Sequence, residues 1–600
     1  MTTSNGADVA QAASALSAAA PEQPRGSWLR LPTLATAWHL ALLALVVLLV
    51  GLPLTFLVVG SFSTSHLPTD ISLSNLGFSN YAEVWSDRET WKLFYNTSIY
   101  AFGATAFGLT IAASLAWLVE RSNIPGKVWI YAGVPMTLAM PGMLQAMAYV
   151  LLLSPRIGLI NRGLRLVDID PINIYSLGGM MFVEGLRLVP TAFLMLVPLL
   201  RSMDPALEEA AAMSGANYQS TLRKVTLRLM LPGLLAVGIY QLMSALEVFE
   251  VPGILGMPAD IFVFSTKIYA IGHTVSETPT YGKANALAMI YVAFAVLTTV
   301  AYAKVIARQE RYTIVTGKGY RPRLIDLGWW RWPAFALVFL FLLFSIILPF
   351  LVFLYVSLLT FIQIPSLATL QKVTLANYWK AAQDPYLATA LWNTLFLIVV
   401  TATSTVLLSF FISMVIVRSK FWGRWILDQL AFMPHAIPGI VFGLAFLWFF
   451  LAMGGVGIDI FGSLWSIAIA FTVSYIAYGT RAMNSAILQI HKDLEQAAYV
   501  SGAPPWRTMW RIFFPLLKPT FVGVWIWAML HVVRSAAIPL ILYEGEDNQV
   551  LSVLIWNMWD QGEMQEVGAI GVVMILTLMA ATLVFRVAGF GSGKNIQAAN

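Results

Sequence analysis

Cysteine is absent from the 600 residues and histidine occurs only six times. Disulfides and thiolate metal centres are thereby excluded, and no His/Asp/Glu cluster has the spacing of a metal cage. Charge is nearly as scarce: Asp, Glu, Lys and Arg make up 11% of the chain, where a soluble globule carries roughly a quarter. A phosphate-cradling loop is missing too. The nearest stretch, Gly589-Phe590-Gly591-Ser592-Gly593-Lys594-Asn595, has Ala588 at the first required glycine and Asn595 where a hydroxyl belongs, so the chain is not expected to hydrolyse ATP itself. No nucleophile–base pair emerges, and a membrane enzyme is not indicated.

What fills the space is apolar residue, 58% of the chain, gathered into runs of about 20 residues that each suffice to cross a ~30 Å hydrocarbon layer as a helix. The runs are continuous rather than alternating, which excludes a β-barrel. The fold class is therefore all-α and polytopic. Spans are expected near 35–62, 94–119, 128–153, 176–200, 230–256, 284–307, 333–361, 390–417, 425–453, 462–487, 519–542 and 567–588. Most of the 36 Lys and Arg residues fall in segments that are cytoplasmic if the N-terminus is inside, which sets both termini in the cytoplasm. The net charge of +6 then reports topology, not a nucleic-acid partner. Residues 1–34 read as a disordered cytoplasmic tail, with no basic residue before Arg25 and hence no secretory start.

The chain is one unit written twice. Asn80-Tyr81 and Asn377-Tyr378 lie 297 residues apart, as do Asn96-Thr97 and Asn393-Thr394, and Pro141-Gly142 and Pro438-Gly439. By span parity the two units run in the same orientation, six spans plus six: 35–307 and 333–588, joined by a cytoplasmic linker at 308–332 and followed by a tail at 589–600. The linker carries Arg308, Arg311, Lys318, Arg321, Arg323 and Arg331, too polar to cross. Extra residues in the first unit are expected in its outer connection near 154–175. Pro141 and Pro438 interrupt spans, where freed backbone groups need neighbouring helices or a wet cavity. They read either as ordinary kinks of a packed bundle or as parts of a translocation path.

Two inner loops, 201–229 and 488–518, repeat a single sentence at a spacing of 287: Leu207-Glu208-Glu209-Ala210-Ala211-Ala212-Met213-Ser214-Gly215-Ala216 and Leu494-Glu495-Gln496-Ala497-Ala498-Tyr499-Val500-Ser501-Gly502-Ala503. Leu207, Ala210, Ala211 and Ser214 share one face of a short helix, as do Leu494, Ala497, Ala498 and Ser501. Asp204-Pro205 is suited to start the first of these helices. Gly215 and Gly502 permit a turn that a side chain would resist. An interfacial anchor would want bulk on that face; small residues suit close approach to a partner, and the duplication suits two identical receivers.

These loops resemble the signature loop of ABC importer permeases, which runs Glu-Ala-Ala, three residues, Gly, nine residues, Ile, one residue, Leu-Pro. The first copy matches at Glu209-Ala210-Ala211, Gly215, Val225 and Leu227, and the second at Gln496-Ala497-Ala498, Gly502, Ile512 and Phe514-Pro515. Arg228 departs from the family proline and Gln496 from the family glutamate; Glu208 and Glu495 occupy matching positions, so Glu495 is expected to take the acidic role. With the linker Thr316-Gly317-Lys318-Gly319-Tyr320-Arg321-Pro322-Arg323, the whole chain is similar to the fused ferric-iron-type permeases. The resemblance implies the type I ABC importer permease fold in a bacterial inner membrane. It also implies docking of the loops on two copies of a cytoplasmic ATPase that carries ATP and Mg, with no cofactor on this chain, and delivery by a periplasmic substrate-binding protein. Ferric iron is the leading cargo, with 2-aminoethylphosphonate, thiamine and polyamines as alternatives. A twelve-helix secondary transporter is the rival of another class, but it would need no repeated docking loops.

Ionisable groups inside the spans each demand a partner or a wet cavity. Glu184 and Arg187, at i and i+3, are expected to neutralise each other. Glu247, Glu250 and Arg534 are candidates for a gate or substrate path, and a shift of 287 carries Glu247 onto Arg534, which suggests a pair across a pseudo-twofold axis. His435 and His531 read as packing residues rather than metal ligands.

Overall fold

The computed structural model describes residues 34–64, 73–203, 206–272, 281–309 and 324–589. The terminal tails, Asp204-Pro205, linker residues 310–323 and the glycine-rich stretch from Phe590 lie outside the described residues. Apart from two isolated bridges, the described residues form helices and turns.

The first unit opens with α1 (34–62), which contains a π turn at Val47–Gly51. It continues through α2 (Arg88–Arg121), α3 (Lys127–Met136), α4 (Gly142–Leu153), α5 (Leu177–Ser202), the loop helix α6 (Ala206–Met213), α7 (Leu227–Glu247) and α8 (Tyr281–Gln309). The second unit repeats the order as α9 (331–357), α10 (Pro385–Arg418), α11 (Arg424–Phe432), α12 (Gly439–Gly454), α13 (Leu464–Gln489), the loop helix α14 (Lys492–Val500), α15 (Phe514–Arg534) and α16 (Met564–Gly589).

Polar contacts fix the helix directions. Lys283, at the start of α8, pairs with Glu83 at 2.8 Å and Asp87 at 3.6 Å, just ahead of α2. Arg121, at the end of α2, donates to the Leu200 carbonyl at the end of α5. Helices α2 and α5 are therefore parallel, and the intervening α3 and α4 together make one crossing. The Tyr291 hydroxyl donates to the Leu246 carbonyl, which puts the end of α7 beside the start of α8. The bent pair Glu250–Ala259 and Phe264–Gly272, with its 74° angle, thus begins and ends on one side and does not cross. Among the described residues the first unit has six helices or bent pairs apolar enough to cross once this pair is set aside, and the second has five, with α13 standing where α5 stands in the order.

Two expected spans ran too far. The span expected at 230–256 stops at Glu247, where Val248 turns extended (ψ 134°), and the one expected at 519–542 stops at Arg534, followed by a separate short helix Ala537–Leu542. A charged residue stands at each break, Glu247 with Glu250 at the first and Arg534 at the second, but apolar residues resume directly after them, so the apolar run reads past the true helix end. Side chains answer the freed carbonyls: the Ser265 hydroxyl donates to Val248 at 3.0 Å and the Ser552 hydroxyl to Ser535 at 3.1 Å.

The repeated dipeptides perform the same service. The Asn80 amide donates to the carbonyls of Ser61 and Ser63 at 3.1 and 2.7 Å, and Asn377 to those of Ser357 and Leu359 at 2.9 and 2.7 Å. Tyr81 and Tyr378 bond the hydroxyls of Ser61 and Ser357. Asn96 donates to Phe262, and Asn393 to Asp547 and Gln549, while the Thr97 and Thr394 hydroxyls accept from the amides of Phe264 and Leu551. Each motif satisfies backbone where a helix ends inside an apolar layer, which is where an orphaned carbonyl costs most.

At Pro141-Gly142 and Pro438-Gly439 the third crossing of each unit breaks by 92° and 116°. These are right-angle breaks, not gentle kinks. The second arms, α4 and α12, are almost wholly buried, and each meets the first helix of the opposite unit. The Tyr149 hydroxyl donates to Phe344 at 2.6 Å, inside a π turn of α9. On the other side, a Cβ at Gly60 of α1 would stand 3.0 Å from the Trp448 ring of α12. The units are thus interlocked by exchanged helices.

The described end of the linker is strapped to the first unit. Ile325 donates to the Arg121 carbonyl at 2.9 Å and accepts from the Asn123 amide at 3.1 Å. The Asn123 side chain donates to Asp326 at 2.6 Å and accepts from the Leu327 amide. The Gly328 amide and the Asn123 amide hold the Asp326 carboxyl below the usual carboxylate range. Helix resumes at Gly328, five residues earlier than expected, and α8 runs to Gln309. The first unit's extra outer residues lie at 154–176, where a short helix Leu159–Arg165 is inserted; the second unit spans the same gap with 455–463.

Candidate functional site

The two repeated loops, 201–229 and 488–518, have one geometry. Helix α6 ends in Gly215 at φ +80° and α14 in Gly502 at φ +74°, the left-handed conformation that a Cβ disfavours. Around each glycine the same bonds close the helix. The Ala216 amide reaches the Ala211 carbonyl and the Ala503 amide reaches Ala498, both at 3.0 Å, the six-to-one bond of a Schellman cap. The hydroxyls of Ser214 and Ser501 turn back to Ala210 and Ala497, both at 2.8 Å. After each loop the chain re-enters the membrane through a π turn, Leu222–Thr226 and Met509–Phe513, again 287 residues apart. Such turns are rare and recur at functional sites.

Both loop helices present apolar knobs outward. Leu207 and Met213 are 40% and 89% exposed, and their equivalents Leu494 and Val500 are 46% and 85% exposed. Ala210, Gln496 and Ala497 are exposed as well, and Glu209, Ala211 and Ala498 partly so. The acidic residues divide by role. Glu208 accepts from the Thr226 hydroxyl at 2.8 Å and lies 3.9 Å from the Arg121 guanidinium. Glu495 lies 3.9 Å from Arg418. Glu209 makes no ion pair within 4 Å among the described residues. Beside α14 opens a cleft of about 620 Å³ lined by Arg418, Lys420, Arg424, Lys492, Glu495 and Gln496.

The intramembrane charges meet where the units join. Glu184 is fully buried and takes Arg187 in a fork, with Nε to Oε2 at 2.9 Å and Nη2 to Oε1 at 2.5 Å. Arg187 also lies against the Pro141-Gly142 break, with its Cδ 3.0 Å from where a Gly142 Cβ would stand. The suggested Glu247–Arg534 partnership is not formed. Neither Glu247 nor Glu250 makes an ion pair with Arg534 within 4 Å among the described residues; Glu247 interacts electrostatically with Arg187, and Arg534 with Glu250, Arg187 and Tyr475. Glu250 follows Glu247 by three residues, and the chain break at Val248 between them swings Glu250 across to the second unit, where it accepts from the Ala536 amide at 3.2 Å. Arg534 Nε is buried without a hydrogen-bond partner.

His531 stacks on Trp527 at 3.9 Å and bonds its carbonyl, and His435 stacks on Tyr240. No group of three or more metal-ligating side chains occurs among the described residues. Sequence reasoning missed four residues here: the projecting Met213 and Val500, and the buried Arg121 and Arg418. The arginines lie 297 apart at the ends of the two longest helices, a spacing that the repeat offered.

Known proteins match along most of this length. The family model for the binding-protein-dependent transport system inner membrane component matches twice, at residues 104–312 and 405–589. The ferric transport system permease protein FbpB of Actinobacillus pleuropneumoniae is 25% identical over 80% of this chain and 68% of its own length. A Haemophilus influenzae protein named for the same ferric system is 23% identical over 74% of this chain and 68% of its own. The trehalose/maltose permease protein MalF of Thermococcus litoralis is 25% identical over 38% of this chain and 79% of its own. Among solved structures, a bacterial alginate ABC transporter matches 47% of this chain and 96% of its own, at 20% identity and a TM-score of 0.38. Two copies of one membrane unit, each with its glycine-capped inner loop, account for the double match: the chain belongs to the family of binding-protein-dependent transport system inner membrane components, as a fused type I ABC permease of the ferric type.

Proposed function

We propose that this chain is the membrane-spanning path of an ATP-driven importer in a bacterial inner membrane, with both termini cytoplasmic, and that it carries ferric iron inward. The observation that carries the reading is the pair of loop helices α6 and α14, with equal caps, equal apolar knobs and equal π turns. Each serves as a coupling helix seated in a cleft of one cytoplasmic ATPase subunit, so two subunits bind, and ATP with Mg is held there. Closure of the ATPase pair draws the two coupling helices together, and the bundle exchanges which face is open. A periplasmic binding protein supplies the cargo.

Relatives named for ferric transport over most of the chain support iron as that cargo. The carboxylates of Glu247 and Glu250, next to Arg534 and the Pro141 and Pro438 breaks, line the passage in this reading. Weak and few oxygen donors suit an ion that must leave again.

The test is gentle extraction of the tagged chain from its native membrane, followed by identification of co-purifying proteins and elemental analysis of any periplasmic protein among them. An ATPase subunit at two copies per chain and bound iron are expected. Uptake with no ATPase present would overturn the importer reading, and an organic ligand in place of iron would overturn the cargo alone.

A further inference from the structure

Arg121 and Arg418 end the two 34-residue helices α2 and α10, and their side chains are only 3% and 8% exposed. A buried guanidinium on the cytoplasmic edge needs partners, and both find the same set. Arg121 Nη2 donates to the carbonyls of Leu200 and Met203 at 3.2 and 3.5 Å, the last of α5 and its cap. Arg418 Nη2 donates to Ile487 and Ile490 at 2.8 and 2.5 Å, the corresponding end of α13. The Leu200 and Ile487 carbonyls already accept one bond each from the cap amides of Met203 and Ile490, and the guanidinium adds a second donor there while bonding the cap carbonyl as well and reaching a third group. That third group is the first-turn carboxylate of the coupling helix, Glu208 facing Arg121 Nε and Glu495 facing Arg418 Nη1, each at 3.9 Å; this is an ion pair beyond hydrogen-bond distance, and the Nε of both arginines is buried without a hydrogen-bond partner.

The connection survives where its surroundings have diverged. In the first unit the Thr226 hydroxyl also holds Glu208. At the equivalent place in the second unit stands Phe513, whose ring lies 5.5 Å from the Arg418 guanidinium. A chance surface pair would contribute little and vary freely; here a buried cation joins the same three helix ends twice.

We propose that Arg121 and Arg418 are positioning residues that carry displacement of each coupling helix into the membrane bundle. The proposal rests on the ATPase-docking reading above. Each arginine ties the coupling helix, through its glutamate, to the end of the preceding crossing helix and to the end of the longest helix. Movement of the coupling helix therefore shifts α2 with α5, or α10 with α13, as one body. Glu208, 20% exposed, and Glu495, 44% exposed, are engaged on this tie, which leaves Glu209, Gln496 and the apolar knobs to meet the ATPase.

The absence of native cysteine gives a direct readout. Val167→Cys and Val456→Cys, on exposed outer connections of the two units, carry spin labels, and the complete complex with its ATPase is trapped with ATP and vanadate. In the otherwise wild-type complex the label distance changes on trapping. With Arg121→Met and Arg418→Met together, the ATPase stays bound and hydrolyses ATP, while the fraction of complexes showing the outer change falls about fivefold or more, the usual scale of a lost coupling between sites. Glu208→Gln with Glu495→Gln removes only the coupling-helix arm, keeps the carbonyl bonds, and is expected to weaken the outer change as well; it serves if the arginine variants fail to accumulate. An unchanged outer distance response in the variants overturns the proposal, as does loss of the ATPase in step with loss of the response. If the wild-type chain binds no ATPase or shows no nucleotide response, the importer reading itself has failed.

Discussion

Gly215 and Gly502 share one left-handed backbone conformation at equivalent ends of the loop helices α6 and α14, φ +80° and +74°. A Cβ at either position would meet open space, so any penalty for substitution comes from the backbone and not from a clash. Alanine should cost about 1–2 kcal/mol locally. Proline, with φ locked near −65°, should destroy the cap. Gly215→Pro or Gly502→Pro is expected to abolish uptake while leaving membrane levels of the chain intact, as read by transport assay beside immunoblot. Normal uptake by both variants would remove these loops from coupling.

Glu184 and Arg187 form a pair in which one partner is fully buried. Removing one member alone leaves an uncompensated charge, typically worth about 3–5 kcal/mol. Glu184→Gln and Arg187→Met should each lower the melting temperature in detergent clearly, and the double variant should lose less than the sum. Additive losses would mean that the two side chains act independently.

Arg534 interacts electrostatically with Glu250 and not with Glu247, although no direct ion pair joins them. Exchanging charges as Glu250→Arg with Arg534→Glu should therefore restore part of the uptake that either single change loses. Glu247→Arg with Arg534→Glu should restore less. Equal rescue by both pairs would show that the site responds to net charge alone.

Asn377 is buried and makes two bonds to carbonyls at the end of α9. Asn377→Ala orphans both acceptors, at about 1–3 kcal/mol for an unmet buried group. Thermal unfolding in detergent should register the loss, and Asn377→Asp should do no better, since a carboxylate cannot donate. Unchanged stability in both variants would mean that water replaces the amide.

Asp326 holds the linker strap, and its carboxyl sits below the usual range because the Gly328 and Asn123 amides favour the charged form. A depressed folded pKa contributes stability above the unfolded value and loses it as pH falls through the folded one. Hydrogen exchange at the Ile325 amide should thus be slow at neutral pH and should quicken in acid, after correction for intrinsic rates. Asp326→Ala should remove that pH dependence.

Much of this was legible in the sequence because membrane helices must satisfy themselves. Continuous apolar runs gave the crossings, and the paired Asn-Tyr, Asn-Thr and Pro-Gly motifs marked the repeat before their carbonyl partners were visible. The helix ends at Glu247 and Arg534 are hidden because apolar residues resume after each break, and the charges that stand at the breaks read as groups inside a span rather than as its end. Arg121 and Arg418 were counted only as cytoplasmic positive charge. Their burial depends on where the ends of α5 and α13 come to rest, some 80 and 70 residues further along the chain, and no local pattern encodes that meeting. Glu250 escaped its proper pairing for the same reason: a shift of 287 aligns sequence positions, while the break at Val248 decides which unit the side chain visits.

The two units are parts of one covalent chain, with the strap at Ile325 docking the start of the second onto the first, so they are never exchanged for copies of each other. In a symmetric pair of separate chains, one mutation strikes both receivers at once. Here it strikes one. That protection explains how Gln496 can stand opposite Glu209, Phe513 opposite Thr226, and Pro515 opposite Arg228 while the shared architecture holds: each unit drifts under the cover of its neighbour, and the transporter ages as a pair of specialists rather than as twins.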